Sequence, residues 1–274
     1  MDPKFCQYQE GDYGSKIIIV IANGGHIKPK NIQQRTDGCF INGQCFYEQN
    51  CGERDHDRCG IEINPEKSAR MMGLKLANEI TTLTGARPHV VIMELHRALI
   101  DVDRNRDEGA FDEITKSVWF DFHNFISMAK LKMKVPGLLI DFHSHSKKHG
   151  LVELSYGLSE SNIKQQISMA ESSLRALFLR KEKSDEELYR GSDSFGFLLQ
   201  QKHIESVPSP NYRIAEEADQ SRKRTITKLY GSLYGGEIDS IRVSVPKKYC
   251  IKSQSSTFSK LLAHSIYEFI RGNY

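Results

Sequence analysis

Between residues 138 and 150 the chain reads LLIDFHSHSKKHG, four apolar residues that run into acid, aromatic, His, Ser and His. On an extended strand alternate side chains share a face, which sets Asp141, His143 and His145 together. A carboxylate beside imidazoles can hold a divalent metal ion or carry a proton, whereas a surface turn would present the same residues with no such role. Three other segments carry comparable groups. Asn23, Gly24, Gly25 and His26 end a β-branched run; Asp55, His56 and Asp57 fall in a long loop; LHRALIDVDRNRDE supplies His96, Arg97, Asp101, Asp103, Arg104, Asn105 and Arg106. His and Asp groups converging at one sheet edge are what a catalytic zinc site needs, with three protein ligands and one position open to water. An arginine nearby would grip a substrate carboxylate through two parallel hydrogen bonds.

Such convergence requires elements that end at a common edge. KIIIVIANGG (16 to 25), HVVIMEL (89 to 95), the 138 to 145 run, LVELSYGLS (151 to 159) and DSIRVSV (239 to 245) read as strands. Asn64 as N-cap with Pro65 at the first helical position, apolar Met72, Leu76, Ile80 and Leu83, and a closing Gly85 predict a helix. Further helices are expected over 114 to 133 and 161 to 182, and at the end of the chain through Phe258, Leu261, Leu262, Ile266 and Phe269; 191 to 212 reads as a Gly/Ser/Pro-rich connection. Strands alternating with helices predict an α/β fold, a three-layer sandwich around a mostly parallel sheet, with 1 to 274 as a single domain. In such open sheets the ligand crevice lies outside the carboxyl ends of the strands.

Composition narrows the partners. The 274 residues are 39% hydrophobic and 27% charged with a net charge of +3, too little for a nucleic-acid or membrane surface. Basic residues are dispersed apart from a run at Arg222 to Arg224, read as a solvated loop. No stretch approaches the ~20 apolar residues of a membrane span. Cys39, Cys45, Cys51 and Cys59 crowd into a Gly- and Asn-rich loop, with Cys6 and Cys250 near the two ends. An even, clustered count suits disulfides in an oxidising compartment, while an N-terminus lacking a signal-peptide core suits a reducing one. The compartment is open on these grounds, and nothing in the sequence indicates an oligomeric state. Zinc held by the cysteines is not expected, because no Cys-x-x-Cys pair is present.

In order, IANGGHIKP, ERDHDRCGIEI, LHRALIDVDRNRDE, LLIDFHSHS, LYGSLYGGEIDSIRVSVP and FSKLLAHSIYEFIRGNY resemble the segments of the N-formylglutamate amidohydrolase-like proteins. The resemblance implies a fold related to zinc exopeptidases and zinc-dependent cleavage of an amide in a small N-acyl amino acid or peptide end bearing a carboxylate. It implies His143 as a zinc ligand with Asp141 supporting it, and Asp55 as the acidic ligand, or Asp57 if the loop is shifted. The His of the family's Pro-His-Gly-Gly becomes Asn23, leaving His26 as a substitute ligand. Arg104, Asn105 and Arg106 fall where the substrate's carboxylate is bound. The family's Gln-x-Glu becomes Arg242-Val243-Ser244, so Ser244 stands where the general base is expected. Serine cannot hold that proton near neutral pH, and Glu237, Asp239 or Glu205 would have to replace it. Two expectations follow, a zinc hydrolase and a catalytically impaired member acting as a binding protein. A third, structural role would use the cysteine loop as an interaction surface.

Overall fold

The computed structural model describes residues 5–41, 44–46, 57–158, 167–213 and 225–274. Ten strands are present among them: β1 (Cys6–Gln9), β2 (Ile17–Ile21), β3 (Gly38–Ile41), β4 (Gln44–Phe46), β5 (Arg58–Cys59), β6 (His89–Met93), β7 (Gly137–His145), β8 (Val152–Ser155), β9 (Ser206–Val207) and β10 (Ile238–Pro246). Seven of them form one sheet in the order β1-β6-β2-β7-β10-β8-β9, and β4-β3-β5 form a small second sheet. The four central strands β6, β2, β7 and β10 are parallel to one another, β1 and β8 pair antiparallel with β6 and β10, and β9 runs parallel to β8. The expected mixed, mostly parallel sheet is therefore present. Its central strands are buried on both faces, as continuous apolar runs in such sheets must be.

Helices cover both sides. On one face α1 (Lys67–Thr84) and the last helix (Lys252–Asn273) lay Met72, Leu76, Ile80, Phe258, Leu262 and Ile266 over Ile19, Ile21, Ile140 and Val243. On the other face α3 (Glu113–Lys132) presses Val118, Phe122 and Ile126 against Ile18, Val20, Val91 and Leu139. Each helix shows the three-to-four residue spacing that makes one apolar stripe. A short α2 (Arg106–Gly109) precedes α3. After β8 come α4 (Arg175–Lys181), α5 (Asp185–Arg190) and α6 (Phe195–Gln201); α7 (Thr225–Tyr230) leads towards β10, and the last helix is α8. None of the described helices is long and apolar enough to cross a membrane.

Three local expectations are corrected. α1 begins two residues later than Asn64 and Pro65 suggest, with Glu66 at the N-cap position and its carboxylate committed elsewhere; Gly85 closes the helix in the left-handed conformation as expected, at φ 73°. Among the described residues of the helix expected over 161 to 182, 175 to 181 form α4 and 167 to 174 hold a single 3-10 turn. The Gly/Ser/Pro-rich stretch contains α6, capped by the Ser194 hydroxyl, which accepts from the Phe197 amide. The cysteines complete no pair among the described residues. Cys6 and Cys250 are buried free thiols; Cys39 and Cys59 are disulfide-bonded, with partners outside the described side chains.

α3 also holds the turn that follows β6. Trp119 Nε1 donates to the Arg104 carbonyl at 3.0 Å, and His123 Nε2 bonds the Val102 carbonyl at 3.0 Å while its Nδ1 meets the Tyr230 hydroxyl at 2.7 Å. Burial pushes the His123 imidazole down from 6.5 to about 4, against the smaller pull of the Val102 carbonyl. The folded protein thus keeps it neutral where the unfolded chain takes up a proton. Stability should fall as pH drops from about 6.5 towards about 4, by up to about 3 kcal/mol from this residue. Urea titrations across that window check this: wild type should show the slope and His123→Asn a flatter one.

Candidate functional site

The carboxyl ends of β7 and β10 open into a polar cavity of about 640 Å³, walled by Glu66, Arg97, Asp103, Arg104, Ser144 and Arg242, with Lys247 among its other lining residues. Parallel register places Arg242 beside Asp141 and Ser244 beside His143, and directly opposed residues of neighbouring strands point to the same face. The turn after β6 brings in Arg97, Asp101, Asp103 and Arg104. The start of α1 brings in Glu66.

His143 is the centre. It is buried, and its Nε2 donates to Asp141 Oδ1 at 2.8 Å while its Nδ1 donates to Glu66 Oε2 at 3.0 Å. Burial and the Arg242 charge act to lower its pKa, but the two carboxylates outweigh them and raise it to about 9. Glu66 shows the reciprocal effect. Burial alone would raise it, yet the His143, Arg97 and Arg242 charges hold it down at about 2. Its Oε2 also accepts from the Ser144 amide at 2.9 Å, and Arg97 Nη1 donates to its Oε1 at 3.4 Å. A carboxylate at the N-terminus of an 18-residue helix gains further from the helix dipole.

Arg242 completes the arrangement. Its Nη1 lies 2.5 Å from Asp103 Oδ2 and 3.4 Å from Asp141 Oδ2, and Asp141 Oδ2 accepts in addition from the Thr227 hydroxyl at 2.8 Å. Burial would raise Asp141, but His143 and Arg242 keep it well below the usual carboxylate range. Asp103 goes the other way: burial raises it, Arg242 opposes, and repulsion from Asp141 adds to the rise. Asp101 is surrounded by Arg35, Arg97 and Arg104 at 3.8, 3.3 and 3.7 Å, which together overcome its burial and lower it.

The residues expected from sequence divide sharply. His143, Asp141 and Arg104 meet at the site. His26 does not: its side chain is 64% exposed and lies 3.7 Å from Glu94. The reason is local. Gly25 packs so closely on the 94–95 backbone that a Cβ would sit 2.1 Å from the Leu95 carbonyl oxygen, and Gly24 is pressed on Arg70. The Asn-Gly-Gly turn therefore serves close packing against α1 and the end of β6, and His26 emerges beyond it. Asn23 is buried, yet neither its amide oxygen nor its nitrogen has a hydrogen-bond partner. Asn105 and Arg106 point outward, with Arg106 on Asp107 at 3.0 Å and over the Phe120 ring. Asp55 lies outside the described residues, and Asp57 is exposed on the cysteine loop.

Glu66 is an acid at the site that the sequence reading did not name. Its signal was present, an acidic residue after Pro65 at the start of the apolar period of α1. Ser244 is buried between His143 and Glu153, which is itself bound to Lys147 at 2.7 Å and His149 at 3.0 Å. None of the replacement bases reaches it. Glu237 is exposed before β10, Asp239 is tied to Tyr274, Arg180 and Ser232 at the other end of that strand, and Glu205 accepts from Tyr212.

Two donor sets can be tested for zinc. Of the set the family resemblance implies (His143, Asp55 or Asp57, and His26), only His143 lies at the site among the described residues: His26 and Asp57 are exposed, and Asp55 lies outside them. Asp103, Asp141 and His143 bring their donor atoms within 4.8 Å of one another, but a guanidinium already lies between the two carboxylates. As the described residues stand, zinc fits neither set.

Comparison with known proteins bears on the fold. No family model and no curated protein matches the sequence. The crystal structure of a gene product from Agrobacterium tumefaciens superposes with a TM-score of 0.55 at 9% identity, over 97% of this chain and 93% of that one. N-formylglutamate amidohydrolase from Ralstonia eutropha gives 0.49 at 7% identity (99% and 100% covered), and a bacteriophage poly-gamma-glutamate hydrolase 0.39 at 9% identity (98% and 89%). The likeness to the Agrobacterium tumefaciens structure is one of fold.

Because Glu66 is one of the two carboxylates that hold the His143 proton, Glu66→Gln should lower the His143 pKa from about 9 and destabilise the fold by about 3 kcal/mol through the unpaired partners it leaves. An NMR titration of the imidazole signals, with denaturant unfolding, checks both. An unmoved His143 titration would mean that Asp141 alone holds the proton.

Proposed function

We propose that the cavity binds a small carboxylate-bearing molecule and does not hydrolyse it. One observation carries this reading: every buried carboxylate at the strand ends is already spent on a cation. Glu66 is held by His143 and Arg97, Asp101 by three arginines, and Asp103 and Asp141 by Arg242. A general base must have a pKa near working pH and a free lone pair, and a Glu66 held at about 2 has neither. Ser244 offers no substitute.

Unused capacity in the cavity is on the donor side. Lys247 is exposed at the wall with no ion pair among the described residues. Arg97 and Arg104 keep 14% and 24% of their side chains exposed. These groups favour an oxyanion, and a guanidinium or ammonium meeting a carboxylate makes the stronger class of hydrogen bond.

Isothermal titration with a panel of N-acyl amino acids is expected to give binding with no product formed. Lys247→Ala should weaken it about tenfold, the loss of one charge-assisted bond. Zinc-dependent release of free amino acid by the unmodified protein would replace this reading with the hydrolase. Identical affinity for N-acyl amino acid amides lacking the carboxylate would remove the anion from it.

A further inference from the structure

We infer that Arg242 is a built-in cation that occupies the place a divalent metal ion would take among Asp103, Asp141 and His143, and that removing its charge opens this cluster to a metal. The inference stands apart from which anion the cavity above accepts.

The geometry is specific. Asp103, Asp141 and His143 are all buried, and one ligand atom from each lies within 4.8 Å of the others. Three nitrogen and oxygen donors at that spacing are the protein share of an open metal site. Arg242 reaches them from the neighbouring strand, where the β7–β10 register sets it beside Asp141. Its Nη1 lies 2.5 Å from Asp103 and 3.4 Å from Asp141. Thr227 fixes the Asp141 carboxylate from α7, and the Asp101 carboxylate accepts from the Asp103 amide, so the two acids are held facing the guanidinium.

Charge balance makes the exchange plausible chemistry. Two carboxylates, an imidazolium and a guanidinium sum to zero. Two carboxylates, a neutral imidazole and a dication sum to zero as well. Substituting a neutral side chain for Arg242 leaves the cluster short of positive charge in a site where unpaired buried carboxylates are costly. A zinc ion would restore it by entering as one imidazole proton leaves to solvent. With Arg242 present the same ion would have to expel a guanidinium already held by Asp103 and Asp141.

The test uses the full chain and zinc chloride alone, with equilibrium dialysis, metal analysis and thermal unfolding. Wild type and Arg242→Lys, which keeps the charge, should hold zinc only substoichiometrically and show no rise in Tm with added zinc. Arg242→Gln should take up about one zinc per chain and rise in Tm with zinc, as binding to the folded state alone requires. Adding Asp103→Asn to Arg242→Gln should abolish that uptake. If Arg242→Gln is unfolded without metal, refolding in the presence of zinc is the expected rescue. Tightly bound stoichiometric zinc in the wild type would overturn the inference, as would an Arg242→Gln protein that neither binds zinc nor is rescued by it. Uptake that survives Asp103→Asn would place the metal elsewhere and overturn it equally.

Discussion

Three buried acids, Asp101, Asp103 and Asp141, the largely buried Glu66 and the cations interleaved with them form the constraint on which the carboxyl end of the sheet depends. Removing any of these charges from water is expensive, and in the interior the cost is recovered only by close, hydrogen-bonded partners. Arg242 bridges Asp103 and Asp141, Asp141 and Glu66 clamp His143, and Glu66 continues through Arg97 to Asp101. The chain of pairs ties together two strands, the turn after β6 and the start of α1. Since each partner satisfies the next, deleting one charge leaves a buried orphan rather than a missing surface contact.

This network determines what the cavity can do. A catalytic carboxylate needs a pKa near neutrality, and here the neighbours drive Glu66 and Asp141 strongly downward. Asp103 alone is pushed up, and it is the acid on which Arg242 sits most tightly. Supporting contacts behind the site serve position. Trp119 and His123 on α3 hold the carbonyls of Arg104 and Val102, fixing the turn that aims the arginines, and Thr227 orients Asp141. Most side chains at the site are thus held from two directions, which favours a rigid, preformed pocket.

Much of the framework was legible in the sequence. Apolar runs at 17–21, 89–93 and 137–145 gave the central strands, because a parallel strand covered by helices on both faces must be apolar throughout. Apolar spacing gave α1, α3 and α8, and Asp-x-His at the end of β7 gave the heart of the site. The short edge strands β1 and β9 were not legible, since their pairing is set by partners distant in the chain.

By itself the sequence determined the layered fold and the edge at which polar groups collect. Which of the many charged residues meet was decided only by tertiary structure. Glu66 reaches His143 because α1 starts over the end of β7; His26 is carried out to solvent by two glycines packed on Arg70 and Leu95. Arg242, which as a sequence position is only a departure from a motif, becomes the counter-charge of two acids through strand register. Spacing along a chain fixes which face a side chain takes, but the distance between two charges on different elements depends on how those elements pack. The energy of a buried pair varies steeply with that distance.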